Sequence, residues 1–124
     1  MSSVLTVPDT IRQSANLLGS KVRVQGVLVI TSSHCHLSPS RALRNNVSES
    51  IAIGPGIRSV LDEKTRGAWF LVGGDAYYLC DAEVCGTLTA TISVPYHMQF
   101  TDIVCIVLID RKRGRRAELA LDQV

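Results

Sequence analysis

The sequence predicts a mainly β domain, built as a small five-stranded barrel with one or two short helices. Three observations carry this. In "KVRVQGVLVI", Val22, Val24, Gly26, Leu28 and Ile30 share one parity, while Lys21, Arg23 and Gln25 take the other. That is the period-2 alternation of a half-buried strand. The pattern then recurs: "VRVQGVL" and "AEVCGTL" both read V-x-G-x-L, with Ala82, Val84, Gly86 and Leu88 sharing parity in the second. Finally, no strand–helix–strand rhythm repeats along the chain, which argues against a parallel α/β sheet.

The two interior glycines explain themselves only if the strands bend. Glycine weakens a strand unless it marks a bulge, a sharp bend or a close backbone approach. Strongly coiled strands belong to small closed barrels, where one strand serves both halves of the sheet. Gly26 and Gly86 are therefore expected at bends or bulges of two curved strands.

In chain order, Val7 to Leu18 reads as a short helix. Pro8 suits a first turn, Asp9 or Thr10 can cap it, Ile11, Ala15 and Leu18 recur at helical spacing, and Gly19 is the stop. After the first glycine strand, residues 32–48 are polar and turn-rich and read as a loop. "ESIAIG" is a short strand ended by Gly54-Pro55-Gly56. Ile57 to Thr65 supplies one or two helical turns at most. "AWFLVGGDAYYLC" is a hairpin candidate around Gly73-Gly74-Asp75. "DIVCIVLID" is apolar on both faces, so it should be central or covered. "RKRGRR" follows as a turn, and "AELAL" is a last short strand or helix.

Size and composition fit one folded domain over residues 1–124, with its core at about 20–110, a helical lead-in at 1–19 and a basic turn and tail at 111–124. Apolar residues make up 46% and charged residues 19%, too apolar for disorder. The longest apolar run, "IVCIVLI", is too short to cross a bilayer as a helix. The N-terminus shows no basic region followed by an apolar one, so a cytoplasmic protein without a membrane partner is expected. Net charge is only +2 but unevenly spread: residues 1–58 carry +4, 59–109 carry −4 and 110–124 carry +2. Such asymmetry can mark a polyanion-binding face, or simply cancel in space.

Candidate chemistry is sparse. His34-Cys35-His36 gathers soft ligands, yet supplies at most three of the four that zinc needs, and Cys80 and Cys85 lack zinc-knuckle spacing. No metal and no cofactor is expected. Cys105 lies among Ile and Val, where a thiol behaves as a small hydrophobe, and the four cysteines read as reduced. No nucleophile elbow or phosphate-binding glycine loop is present, so no catalytic residue is assigned and the chain reads as a non-enzyme.

The helix leading into "GSKVRVQGVLV", the later "DAEVCGTLTA" and the following "FTDIVCIVLID" together resemble the OB-fold, the five-stranded oligonucleotide- and oligosaccharide-binding barrel. The resemblance covers roughly residues 10–112 as an order of elements. One departure is that no clear helix separates its third and fourth strands. The resemblance implies a binding module for single-stranded nucleic acid, which stacks bases on aromatic rings inside a basic groove. Of the six aromatics, four lie in the hairpin candidate, and one each of Trp69/Phe70 and Tyr77/Tyr78 should point outward. The binding residues expected on this reading are Arg23, Trp69, Tyr77, Tyr78, Arg111, Lys112, Arg113, Arg115 and Arg116. The alternative is a protein–protein interaction or accessory subunit that uses the barrel as a scaffold, with all four aromatics in the core and its rim.

Overall fold

A computed structural model of the 124-residue chain describes residues 4–54, 56–69, 71, 76–91, 96 and 98–121. The fold is mainly β. Its strands are β1 (Val4–Thr6), β2 (Lys21–Thr31), β3 (Cys35–Ser38), β4 (Ile51–Ala52), β5 (Ala76–Ala90), β6 (Met98–Asp110) and β7 (Arg115–Ala120). Helices α1 (Val7–Arg12) and α2 (Ser14–Leu17) precede β2, and α3 (Ile57–Thr65) stands between β4 and β5. Hydrogen bonding runs β2–β3–β4–β6–β5 and returns from β5 to β2, so five strands close a ring. β1 and β7 are extra neighbours of β2 and β6, which brings the count to seven rather than five.

β5 is the spine of the sheet. Tyr78, Cys80, Ala82, Val84, Gly86 and Leu88 point inward at every second position, and each is buried. β2 pairs with β5 along its whole length but changes its other partner halfway. Arg23 to Gln25 lie beside β1 in parallel, while Val27 to Ile30 lie antiparallel to β3. Gly26 sits at the changeover. A Cβ there would stand 2.6 Å from the Ser38 carbonyl oxygen and 2.9 Å from Val7 Cγ2.

β6 repeats the device. Its first half pairs with β4 and its second with β7, and between them the β5–β6 register slips opposite Gly86. The slip is a bulge: Cys85 faces Cys105 and Thr87 faces Thr101, so Gly86 alone opposes Asp102 to Val104, with Asp102 at φ 48°. The expected bend sites are thus a close approach at Gly26 and a bulge at Gly86. Ile106, Val107 and Leu108 are all buried, consistent with a strand that has neighbours on both edges.

Several sequence expectations change. The lead-in helix breaks at Gln13 into α1 and α2, and its cap is Thr6, whose Oγ1 accepts from the Asp9 N–H at 3.2 Å. Thr10 is buried instead, donating to the Thr6 carbonyl at 2.7 Å. Gly19, at φ 83°, does stop the segment. The polar stretch 32–48 holds strand β3, because tertiary partners satisfy its polar side chains. α3 is a full nine-residue helix, with Ile57 and Leu61 in the core and a left-handed exit through Arg66 (φ 54°) and Gly67 (φ 76°). That exit leaves Trp69 in a turn rather than a hairpin arm, and Gly73, Gly74 and Asp75 lie outside the described residues. Of "AELAL", residues 117–120 belong to a strand, and that strand already includes Arg115 and Arg116. Among the described residues no helix is long and apolar enough to cross a membrane.

Candidate nucleic-acid interface

The chain reverses between β6 and β7 at residues 111–114, with Gly114 at φ 64°. Asp110 organises this reversal. Its carboxylate accepts from the Arg113 N–H at 3.1 Å and from the Arg115 guanidinium at 3.1 Å. Desolvation pushes the carboxyl up, but these two donors together outweigh it and hold Asp110 below the ordinary carboxylate range. Arg115 also donates to the Ala68 carbonyl at 3.3 Å and lies 4.5 Å from the centroid of the Trp69 ring. One guanidinium therefore ties the basic turn to the segment leaving α3. A cation over tryptophan contributes about 0.5–1 kcal/mol at such a partly exposed site.

The remaining cations of the turn differ in commitment. Arg111 donates to Asp81 of β5 at 2.9 Å. Lys112, Arg113 and Arg116 are exposed, and among the described residues their side chains form no ion pair. Beside Arg111 a cleft of about 450 Å³ opens over the outer face of the sheet, lined by Gln25, Val27, Ser40, Arg41 and Asp81. Arg111 neutralises the Asp81 carboxylate, while Arg41 brings a second guanidinium from the loop after β3. The turn thus joins a half-buried indole, held by Arg115, to three exposed cations without an ion pair among the described residues and, through Arg111, to a polar cleft that holds Arg41 together with Asp81 and Glu83. Such a surface suits a flexible polyanion that carries flat bases.

The other expected residues are dispersed. Arg23 projects from the outer face of β2, but its guanidinium is bound to Glu83 at 3.2 Å, which raises its pKa further. Tyr77 is half-buried and has the Arg58 guanidinium 3.8 Å from its ring centroid, so it belongs with α3 rather than the basic turn. Tyr78 has no exposed surface, and its hydroxyl donates to Asp62 Oδ1 at 2.6 Å. It anchors α3 to the core and offers no face for stacking. The pair Tyr77/Tyr78 thus splits outward and inward, as strand alternation requires. Phe70 lies outside the described residues.

A second cleft of about 400 Å³ lies at the β2–β3 turn, lined by Ser32, Ser33, His34, Arg58, Tyr96 and Gln99. The outer face of β3 next to it is closed. His36 and Ser38 point outward yet are fully buried, because the loop from Pro39 folds over them. His36 Nε2 donates to the Arg44 carbonyl at 2.7 Å, and its Nδ1 accepts from the Tyr96 hydroxyl at 2.6 Å. Ser38 donates to the Ser40 carbonyl at 2.8 Å. A carbonyl can only accept, so the neutral ring carries its proton on Nε2. Burial lowers the His36 pKa and favours this neutral form. Both nitrogens of the histidine singled out as a possible ligand are thus engaged. No group of three or more His, Cys, Asp or Glu side chains fit to hold a metal stands among the described residues.

Arg41, Arg58 and Tyr96 join these clefts without any local signal in the sequence. Arg41 comes from the loop after β3 and Arg58 from the first turn of α3, and only the tertiary fold brings them and Tyr96 to a wall. Comparison of the chain with family models, curated proteins and solved structures finds no match.

Proposed function

We propose that this protein is a non-enzymatic OB-like module that binds single-stranded nucleic acid at the β6–β7 turn and Trp69. Two observations support the fold half of this reading. The ring runs first–second–third–fifth–fourth strand and back to the first, and α3 falls between the third and fourth. A closed five-stranded ring with strands that change partner at glycines is the architecture an OB-like barrel needs. The observation that carries the binding half is the Arg115–Trp69 stack, which joins the aromatic to the most basic segment of the chain. In OB-like barrels the second and third strands commonly form the binding face. Here the loop after β3 covers the outer face of His36 and Ser38, which moves the open, cationic surface to the turn and the adjoining cleft.

The test is a titration of dye-labelled single-stranded DNA and RNA followed by anisotropy over a range of salt. Binding that weakens steeply with salt fits the reading, because cations in contact with phosphates release counterions. No binding at low salt leaves the second reading, an interaction or accessory subunit. One feature favours that alternative: an apolar groove of about 300 Å³ between α1 and the loop after β3, lined by Pro8, Ile11, Pro39 and the exposed Leu43.

A further inference from the structure

The four cysteines divide by environment. Cys35 and Cys80 lie against the interior, where burial pushes each thiol up to about 12. Cys85 and Cys105 lie on the outer face of the sheet, half-buried, and stand directly opposite one another in the β5–β6 ladder. Arg23 of β2 faces Cys85 from the other side, so the guanidinium and the two thiols form one row across three strands.

The hydrogen-bond phase of the ladder fixes how far apart the two cysteines are. The Leu121 N–H donates to the Val104 carbonyl at 2.9 Å, which makes Cys105 and Ala120 a non-hydrogen-bonded pair of β6 and β7. The backbone polar groups of Cys105 therefore point toward β5, and Cys85/Cys105 is a hydrogen-bonded pair. Such pairs have their Cα atoms about 5.5 Å apart, inside the range of about 4.4–6.8 Å that disulfides span. The bulge at Gly86 and Asp102 follows at once, where the ladder is already irregular.

We propose that Cys85 and Cys105 are a redox modification site, closing a reversible cross-strand disulfide by exchange with a low-molecular-weight disulfide such as oxidised glutathione. The Cys85 thiolate attacks one sulfur of the glutathione disulfide. A mixed disulfide forms, and the first glutathione leaves as a thiolate that takes up the proton Cys85 has shed. The Cys105 thiolate then attacks Cys85 Sγ, which breaks the mixed disulfide, releases the second glutathione and closes the bridge. Two protein thiols are oxidised, one glutathione disulfide is reduced to two thiols, and no other electron carrier is needed. Burial raises the Cys105 thiol and Arg23 partly offsets this, so it is the position of Cys105 directly opposite Cys85 that suits it to the second, intramolecular attack. The bridge ties β5 to β6 where β6 passes from β4 to β7. Because it is partly exposed, a glutathione pool can reduce it again. This inference does not depend on nucleic-acid binding.

The experiment uses the whole chain incubated with oxidised glutathione at neutral pH, then intact mass, thiol counting after denaturation and peptide mapping. The wild type should lose the mass of two hydrogens and two of its four thiols, yield a Cys85–Cys105 cross-linked peptide, and recover on reduction. Cys35→Ser and Cys80→Ser should behave like wild type. Cys105→Ser should instead retain one glutathione adduct, on Cys85, and Cys85→Ser should gain neither bridge nor adduct. A wild type that keeps all its thiols, stops at a stable glutathione adduct, or bridges through Cys35 or Cys80 overturns the proposal. The wild-type peptide map decides this even if a serine variant fails to fold.

Discussion

Gly26 lies so close beneath Ser38 that a Cβ on the glycine would stand 2.6 Å from the Ser38 carbonyl oxygen. That oxygen belongs to the backbone of β3, and Val7 Cγ2 and Leu37 Cγ hem in the same spot at 2.9 and 3.0 Å. Valine favours strands in general, yet Gly26→Val should destabilise this fold by about 3 kcal/mol, the upper range for overpacking. Gly26→Ala should already be costly, since the first carbon makes the clash. Urea unfolding checks both. A neutral or stabilised valine variant would remove the close approach from the account.

Gly86 faces a milder constraint. A Cβ there would lie 3.1 Å from the Thr101 carbonyl oxygen and 3.2 Å from Ile103. Neighbours at a bulge can yield by a few tenths of an ångström, so Gly86→Ala should cost about 1 kcal/mol and clearly less than Gly26→Ala. The order of the two unfolding midpoints is the readout, and the reverse order would contradict the packing described.

These two glycines also show what the sequence made legible. β2 and β5 were readable because alternation and the V-x-G-x-L repeat are local, and β6 because its run of apolar residues is. β1 was not: its three residues are a strand only because β2 lies alongside. β3 was hidden by its own polarity, since His36 and Ser38 are buried through hydrogen bonds to Arg44 and Ser40 that no local pattern announces. α3 owes its full length to Ile57 and Leu61 in the core and to Tyr78 bound to Asp62. The candidate interface was half legible. The basic turn stood out as a charge run, whereas the pairing of Arg115 with Trp69 joins residues far apart in the chain and needed the fold.

Buried His36 should make stability depend on pH. Its folded pKa is lowered from the ordinary value of about 6.5, chiefly by desolvation. Below about pH 6.5 the unfolded chain takes up the proton more readily than the folded one, so stability is fully present above that pH and falls as pH drops toward the folded pKa. Urea midpoints measured from about pH 8 down to about pH 5 should decline, and a His36→Gln variant that folds should show a shallower decline. Equal slopes in the two proteins would mean that other groups carry the effect.

Tyr78 and Trp69 should separate structure from binding. Tyr78→Phe removes the 2.6 Å bond to Asp62 and should cost about 1–2 kcal/mol of stability while leaving affinity for single strands unchanged. Trp69→Ala should weaken that affinity by about tenfold or more, in line with about 1–3 kcal/mol for one stacked base. Urea unfolding and anisotropy on both variants check this. Matched losses of affinity in both would point to a global effect rather than to stacking.

The basic turn should set the salt dependence. Replacing Lys112, Arg113 and Arg116, the three cations without an ion pair among the described residues, by serine should shallow the slope of log affinity against log salt by about two units. Adding Arg111→Ser and Arg115→Ser should lower affinity further, because the indole then loses the guanidinium that holds it. An unchanged slope in the triple variant would assign these cations to solubility and edge protection alone.

The most direct measurement uses the single tryptophan of the chain as its own reporter. Trp69 emission is followed while unlabelled single-stranded DNA is titrated in at low salt, then reversed by adding salt. The account predicts saturable quenching as a base stacks on the indole, with the midpoint found by anisotropy, recovery at high salt, and loss of the signal when all five turn cations are serine. Binding seen by anisotropy without any change in Trp69 emission, or no binding at all at low salt, would contradict it.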